Sequence, residues 1–302
     1  MRSPSFTTKF EASVPFESLW HKLPFLGILV LSCITCAASQ RVAIVAPDKT
    51  DQSLKFALSL SVSLGDKVSI LDDILSRDAF DAIVSETPFN LTTEKASSAG
   101  KAMGCDYFVL VNSSTLRRSA SGRAAYYEAS AAVYLVSTRT GELIHFGLWR
   151  KEAGAQRSAA DELMRSVGPL TTILKDKMMR NGSGALDETQ RPLIEEVPDP
   201  NAAAAKNFRP PIPYRRIKPN YTSDAAYYDV AATVDLEVDL DVNGLITRTR
   251  IVRWAGYGLE ESAKNVVRSM NWRPAERNGS RLPIRFLVRY NFKRIEKTDP
   301  PL

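Results

Sequence analysis

Two histidines, His21 and His145, and three cysteines, Cys33, Cys36 and Cys105, are the only residues of their kinds in the 302-residue chain. Acid–base and nucleophilic catalysis at neutral pH most often rest on a histidine beside a Ser, Cys or carboxylate. No serine motif, phosphate loop or metal-ligand spacing accompanies either histidine, and Cys105 has no histidine near it in sequence. Cys33 and Cys36 have a C-x-x-C spacing that elsewhere reads as a redox or zinc pair, but here they lie inside an apolar run. Cys105 is then expected as a buried structural thiol, and no internal disulfide is available to the mature chain. Asp239-x-Asp241-x-Asn243-Gly244 imitates the opening of a calcium loop, yet its twelfth position is Arg250 where a bidentate Glu is required. These residues predict a binding protein and no enzyme: no catalytic residue, no cofactor and no metal.

The apolar run, Leu23 to Ser39 (LPFLGILVLSCITCAAS), follows Lys22, carries no charge and ends in small residues. This is the pattern of an export segment. Its length is at the lower limit for a membrane-spanning helix. Three outcomes fit residues 1–39: a signal peptide cleaved after Ser39, a retained membrane anchor, or lipidation at Cys33, where Val30-Leu31-Ser32-Cys33 loosely resembles a bacterial lipoprotein box. Each places the rest of the chain in the cell envelope, facing the periplasm. The net charge is +6, and residues 201–302 hold 18 Lys and Arg against 11 Asp and Glu. An exported chain meets no nucleic acid, so this basic excess points to anionic envelope polymers, lipid headgroups or acidic peptides.

The elements that must position any site read as α+β. From residue 41 the chain alternates strand and helix: Arg41 to Pro47, then a helix at Asp51 to Leu64, a strand at Val68 to Leu71, helices at Asp73 to Ser85 and Thr92 to Met103, and a strand at Tyr107 to Asn112. Strands at Ala125 to Val136 and Leu143 to Arg150 flank a polar hairpin loop, and a helix at Ala159 to Met179 closes an α/β domain over 41–180. Nine prolines and glycines between Gly182 and Pro219 mark residues 181–218 as a proline-rich linker, able to span on the order of 120 Å if drawn out.

The last third is a strand-strand-helix-strand module over 219–295. Val234, Leu236, Val238, Leu240 and Val242 alternate with Asp235, Glu237, Asp239 and Asp241, giving a strand with a core face and an acidic face read as solvated. Asn243-Gly244 predicts a two-residue turn, which would pair Asp239 with Arg248 and Glu237 with Arg250 on the returning strand. Leu259 to Met270 presents an apolar helical face. Ile284 to Phe292 is a long amphipathic strand, expected at a sheet edge because polar and proline-rich residues follow it.

Two resemblances follow. Ala99-Gly100-Lys101-Ala102-Met103-Gly104-Cys105-Asp106-Tyr107, the Thr140-Gly141-Glu142 hairpin and the order of elements make residues 41–180 similar to CsgG-like envelope domains. More extensively, Pro219-Asn220-Tyr221, Asp241-Val242-Asn243-Gly244, Leu259-Glu260-Glu261-Ser262-Ala263, Asn271-Trp272-Arg273-Pro274-Ala275, Asn278-Gly279, Pro283 and Phe292 make the last third resemble the C-terminal domain of TonB-type energy transducers. Trp254-Ala255-Gly256 stands where that family has Ser-Ser-Gly, and the linker lacks long Glu-Pro and Lys-Pro repeats. The resemblance implies capture of an envelope protein or receptor peptide by strand addition, with a membrane motor complex as a possible further partner. An envelope scaffold that binds peptidoglycan or another complex is the alternative. On the last strand, Arg285, Leu287, Arg289, Asn291 and Lys293 would face a partner, their cations favouring an acidic one, while Phe286, Val288 and Tyr290 face the core.

Overall fold

Small and β-branched residues alternating between two faces build the first sheet. The computed structural model describes residues 39–66, 68–120, 122–183 and 194–294, so His21, Cys33, Cys36 and the apolar run up to residue 38 lie outside the described residues. Strands β1 (Arg41–Val45), β2 (Ser69–Ile70), β3 (Tyr107–Ala120), β4 (Arg123–Ser137) and β5 (Leu143–Ala153) lie in the order β2-β1-β3-β4-β5. β1 runs parallel to both neighbours, and the β3–β4–β5 ladder is antiparallel. Val42, Ile44, Val109, Val111, Val133 and Leu135 pack on one face under α1 (Asp51–Leu64), α4 (Gln156–Met164) and α5 (Val167–Ser183). Ala43, Val45, Phe108, Leu110, Tyr134 and Val136 pack on the other under α2 (Asp73–Ile83) and α3 (Thr93–Met103). The period of two in the sequence is thus the two faces of one sheet.

The helix expected over Ala159 to Met179 divides at Arg165 and Ser166. Pro169 has no N–H and sits in the first turn of α5, where none is needed. The β3–β4 hairpin is longer than expected, because residues beyond Asn112 pair only with β4, out to Ala120↔Arg123.

Residues 194–218 do not form the extended linker expected of them. They contribute β6 (Glu195–Glu196), β7 (Phe208–Arg209) and β8 (Ile212–Pro213), each added to the last third of the chain. That third comprises α6 (Ser223–Tyr227), β9 (Ala232–Leu240), β10 (Ile246–Arg253), α7 (Leu259–Ser269), β11 (Trp272–Arg273), β12 (Ala275–Arg277), β13 (Ser280–Leu282) and β14 (Ile284–Phe292). Its main sheet has the order β10-β9-β14-β6, with α7 on the inner face over Val234, Leu236, Val238, Leu240 and Ile284. β7 pairs with β12 and β8 with β11, so proline at these short pieces ends each strand without preventing it.

The turn at Asn243-Gly244 is not the two-residue turn expected. Only Gly244 has positive φ (82°), and the loop has three residues, Val242 to Gly244, closed by Asp241 N–H on Leu245 O. The Asp241 carboxylate accepts from the N–H groups of Asn243 and Leu245, both at 2.8 Å, which favours this geometry. A Cβ on Gly244 would meet the Trp272 carbonyl oxygen at 2.2 Å. The loop alone would shift the register by one residue, but a bulge between Ile246 and Arg248 restores it. Arg248 stands opposite Asp239 and Arg250 opposite Glu237, as expected. The two-residue turn is instead made by the second Asn-Gly pair: Asn278 (φ 51°) and Gly279 (φ 82°) join β12 to β13.

Candidate functional site: the outer edge of the C-terminal sheet

Val197 N–H donates to Arg285 O at 3.1 Å, so the backbone of Arg285 faces away from β9. By the period of two, the amides and carbonyls of Leu287, Arg289 and Asn291 face outward too. β6 pairs in parallel with Ile284 and Arg285 only, and among the described residues no strand pairs with the outer side of Leu287 to Phe292. The strand expected at an edge is therefore covered at its first two residues and open along the rest. A groove of about 550 Å³ lies at the junction, lined by Val197, Pro210, Pro211, Glu237, Arg285 and Leu287.

The outward residues differ in their freedom. Leu287 is 53% exposed. Asn291 is exposed and accepts from Thr233 Oγ1 at 2.9 Å, and Lys293 is exposed. Arg285 is buried, donating through Nε and Nη2 to Asp239 at 2.7 and 2.8 Å. Arg289 holds Asp235 in the same fork, and Arg253 donates to Asp235 from the other side. Asp235 and Asp239 are 2% and 1% exposed, so the acidic stripe is a buried ion-pair ladder, contrary to the solvated face expected. Its partners are Arg285 and Arg289 of β14 and Arg253 at the end of β10, while Arg248 and Arg250 stand in register with Asp239 and Glu237. Arg250 turns to Glu142 at 2.8 Å. Burial pushes the Asp235 carboxyl up, but its bonds to Arg289 and Arg253 outweigh this and leave it below the usual aspartate value. The bond to Asp239 raises the Arg285 guanidinium, and that to Asp235 raises Arg289. Two of the three cations expected to meet an acidic partner are thus neutralised within the sheet. Phe286, Val288 and Tyr290 pack on the module core, as expected.

What fixes this edge in space is the loop after β10. Trp254 is fully buried and lies in the core of the first sheet, its ring 5.8 Å from Tyr134, with Nε1–H donating to Gly141 O at 3.1 Å. Trp254 N–H bonds Leu91 O, and the Asn90 side chain bonds the backbone of both Thr233 and Trp254. A Cβ on Gly256 would meet the Phe146 ring at 2.6 Å. Glu260, at the start of α7, accepts from Ala255 and Gly256 N–H; burial pushes its carboxyl up despite these bonds. A second contact buries Glu128 of β4, which accepts from Tyr227 Oη at 2.7 Å, Tyr228 Oη at 3.3 Å and Arg118 at 3.3 Å. The two sheets therefore form one compact body. Sequence reasoning noted Trp254 only as a departure from the family pattern, and had no signal for Glu128.

Residues 217–294 match the family of Gram-negative bacterial TonB protein C-terminal domains. The chain thus carries a TonB-type C-terminal domain on an α+β body. Curated proteins gave no match to the chain. Among solved structures it is similar to the hypothetical protein CT253 from Chlamydia trachomatis (12% identity, 45% of this chain and 99% of that one, TM-score 0.33). It is also similar to a PelC dodecamer from Paraburkholderia phytofirmans (10%, 45% and 88%, 0.30) and to the lipoprotein GNA1162 from Neisseria meningitidis (13%, 46% and 99%, 0.31).

Other chemistry is sparse. Cys105 is a buried free thiol, pushed up by burial, and His145 is pushed down by burial and by Lys177. Among the described residues no cluster of His, Cys, Asp or Glu could hold a metal, and no helix is long and apolar enough to cross a membrane.

Proposed function

We propose that the chain is a binding protein of the cell envelope, not an enzyme, whose TonB-type domain captures an extended segment of another envelope protein by strand addition along Leu287 to Phe292. The observation that carries this is the row of outward backbone groups at Leu287, Arg289 and Asn291, beside a groove and an exposed leucine. Main-chain bonds would supply affinity there, and Leu287 an apolar anchor. The element order over 41–180 supports reading that part as a CsgG-like envelope domain. Energy transduction to an outer-membrane receptor is the finer form of the reading. The buried Trp254 contact supports a fixed docking platform over a module on a long tether.

The test replaces Asn291 with a photo-crosslinking residue in cells, with and without Leu287→Pro. Leu287 N–H faces outward, so proline there removes a donor for the partner and none from the β9 ladder. A discrete crosslinked envelope protein, lost in Leu287→Pro and reduced but still present in Leu287→Ala, is expected. An undiminished crosslink from a folded proline variant would rule out strand addition at this edge.

A further inference from the structure

Strand β6 belongs to the sequence Glu195-Glu196-Val197-Pro198-Asp199-Pro200. Glu195 and Glu196 pair with Ile284 and Arg285, Val197 N–H reaches Arg285 O, and the Glu195 carboxylate meets the Arg277 guanidinium. In a parallel ladder the next bonds in register would join Leu287 N–H to Val197 O and Asp199 N–H to Leu287 O, while the nitrogens of Pro198 and Pro200 face away from β14. Asp199 instead opens a turn: its carbonyl accepts from Ala202 N–H at 2.9 Å and its carboxylate from Asn201 N–H at 2.8 Å, with Pro200 at the second position, where its fixed φ favours the turn. The chain leaves the edge there, and the groove between Val197, Pro210, Pro211 and Leu287 opens at that point. Oε1 of Glu237, which lines this groove, is buried, lies 3.7 Å from Arg285 Nε as an ion pair and accepts no hydrogen bond among the described residues.

We propose that Glu195–Val197 is a placeholder built into the chain. It occupies the first residues of the β14 edge until displaced by a longer extended segment running in the same direction as β14. This rests on the strand-addition reading above and adds the regulation of that site. The placeholder's weakness is in its sequence: two paired residues, then the turn at Asp199-Pro200. An incoming strand without that turn has nine residues of edge, Ile284 to Phe292, and gains the outward bonds beyond Val197 that the turn forfeits. An acidic residue at its start would inherit Arg277, and a donor farther on could hydrogen-bond the Glu237 oxygen that is now ion-paired with Arg285. While unoccupied, an edge part-covered by its own chain is also shielded from pairing with another copy.

The probe is a fluorescent peptide copying residues 195–203 with Asp199→Thr and Pro200→Val, which remove the turn, titrated against the full-length chain while hydrogen exchange is followed at the Leu287 and Arg289 amides. Val197→Pro removes one placeholder bond at an exposed position and is expected to tighten the peptide about fivefold, the worth of one backbone hydrogen bond. Asp199→Thr with Pro200→Val within the chain removes the turn and lets β6 run on along the edge. It is expected to weaken the peptide by at least as much and to protect the Leu287 and Arg289 amides with no peptide present. If the peptide binds and protects both amides but neither variant changes its affinity, the placeholder is refuted and strand addition stands. If the peptide neither binds nor protects them in any variant, strand addition at this edge falls and the placeholder with it.

Discussion

Replacing Trp254 tests whether the TonB-type domain is part of the core of the first sheet or merely touches it. The indole has no exposed surface, belongs to the core cluster under α2 and α3 with its ring 5.8 Å from that of Tyr134, and donates Nε1–H to Gly141 O. Truncating a buried tryptophan to alanine removes its transfer energy and leaves a cavity, about 3–5 kcal/mol together. That is a large share of the roughly 5–15 kcal/mol that holds a domain folded. Trp254→Phe retains most of the packing but leaves the Gly141 carbonyl without its donor, a cost of about 1–2 kcal/mol. Urea denaturation followed by far-UV circular dichroism measures both. The wild type should unfold in one transition, since the side chain belongs to one sheet's core and is carried by the other's strand. In Trp254→Ala the transition should move to lower urea and separate into two as the sheets lose their common core. A cost below about 1 kcal/mol for Trp254→Ala, within reach of an ordinary surface substitution, would refute the reasoning and return the TonB-type domain to the status of an independent module.

Glu128→Ala leaves Tyr227, Tyr228 and Arg118 without their common acceptor at the second contact; it should cost about 2–3 kcal/mol and speed proteolysis near α6, whereas resistance equal to wild type would show that the contact contributes nothing. Asp235 titrates below its ordinary value of 3.8, so its stabilisation is fully present above that value and is lost as pH falls through its lower folded value. Asp235→Asn should therefore flatten the fall in stability below pH 3.8, and an unchanged acid limb in thermal melts would show that the arginine fork does not hold the carboxylate.

Much of the fold was legible because local rules and tertiary outcome agree. The helix Asp51–Leu64 has the bounds its apolar spacing implies, capped by the Thr50 side chain on Ser53 N–H, and the strands β9 and β14 alternate as their sequences do. Alternation gives the period of a face but not what covers it. Asp235 and Asp239 alternate as solvent-facing acids would, yet two arginines about 50 residues away on β14 bury them. The two Asn-Gly pairs make the same point: Asn278-Gly279 forms the expected turn, while at Asn243-Gly244 the Asp241 side chain selects another. Proline misled in the linker, since it forbids long strands and not the two-residue ones that β6, β7 and β8 contribute. At the candidate edge the residues were found from sequence, but the ion pairs that neutralise Arg285 and Arg289 depend on non-local register.

The sheet of the TonB-type domain has two edges, and the chain treats them unequally. On β10, Arg253 bridges Thr92, Trp254 N–H takes Leu91 O, and Arg250 is drawn to Glu142, so the first sheet's own loops close the end of that edge. On β14, only the linker intervenes, and the turn at Asp199-Pro200 makes it stop after two residues. An incoming strand therefore finds on β14 an edge that the first sheet leaves open and, following β6, a direction in which to lie. Its load would pass through β9 to Thr233 and Asn90, and through β10 to Trp254 and the first sheet, by hydrogen bonds and packing with no flexible segment between. A module swinging on a tether finds a partner by diffusion and tolerates any approach, whereas this one presents its edge at a fixed angle to helices α2 and α3. The substitution of Trp-Ala-Gly for Ser-Ser-Gly is what makes the difference: a buried indole needs a core to enter, Gly256 allows the close approach to Phe146, and a serine in place of Trp254 would leave the indole's share of that core unfilled.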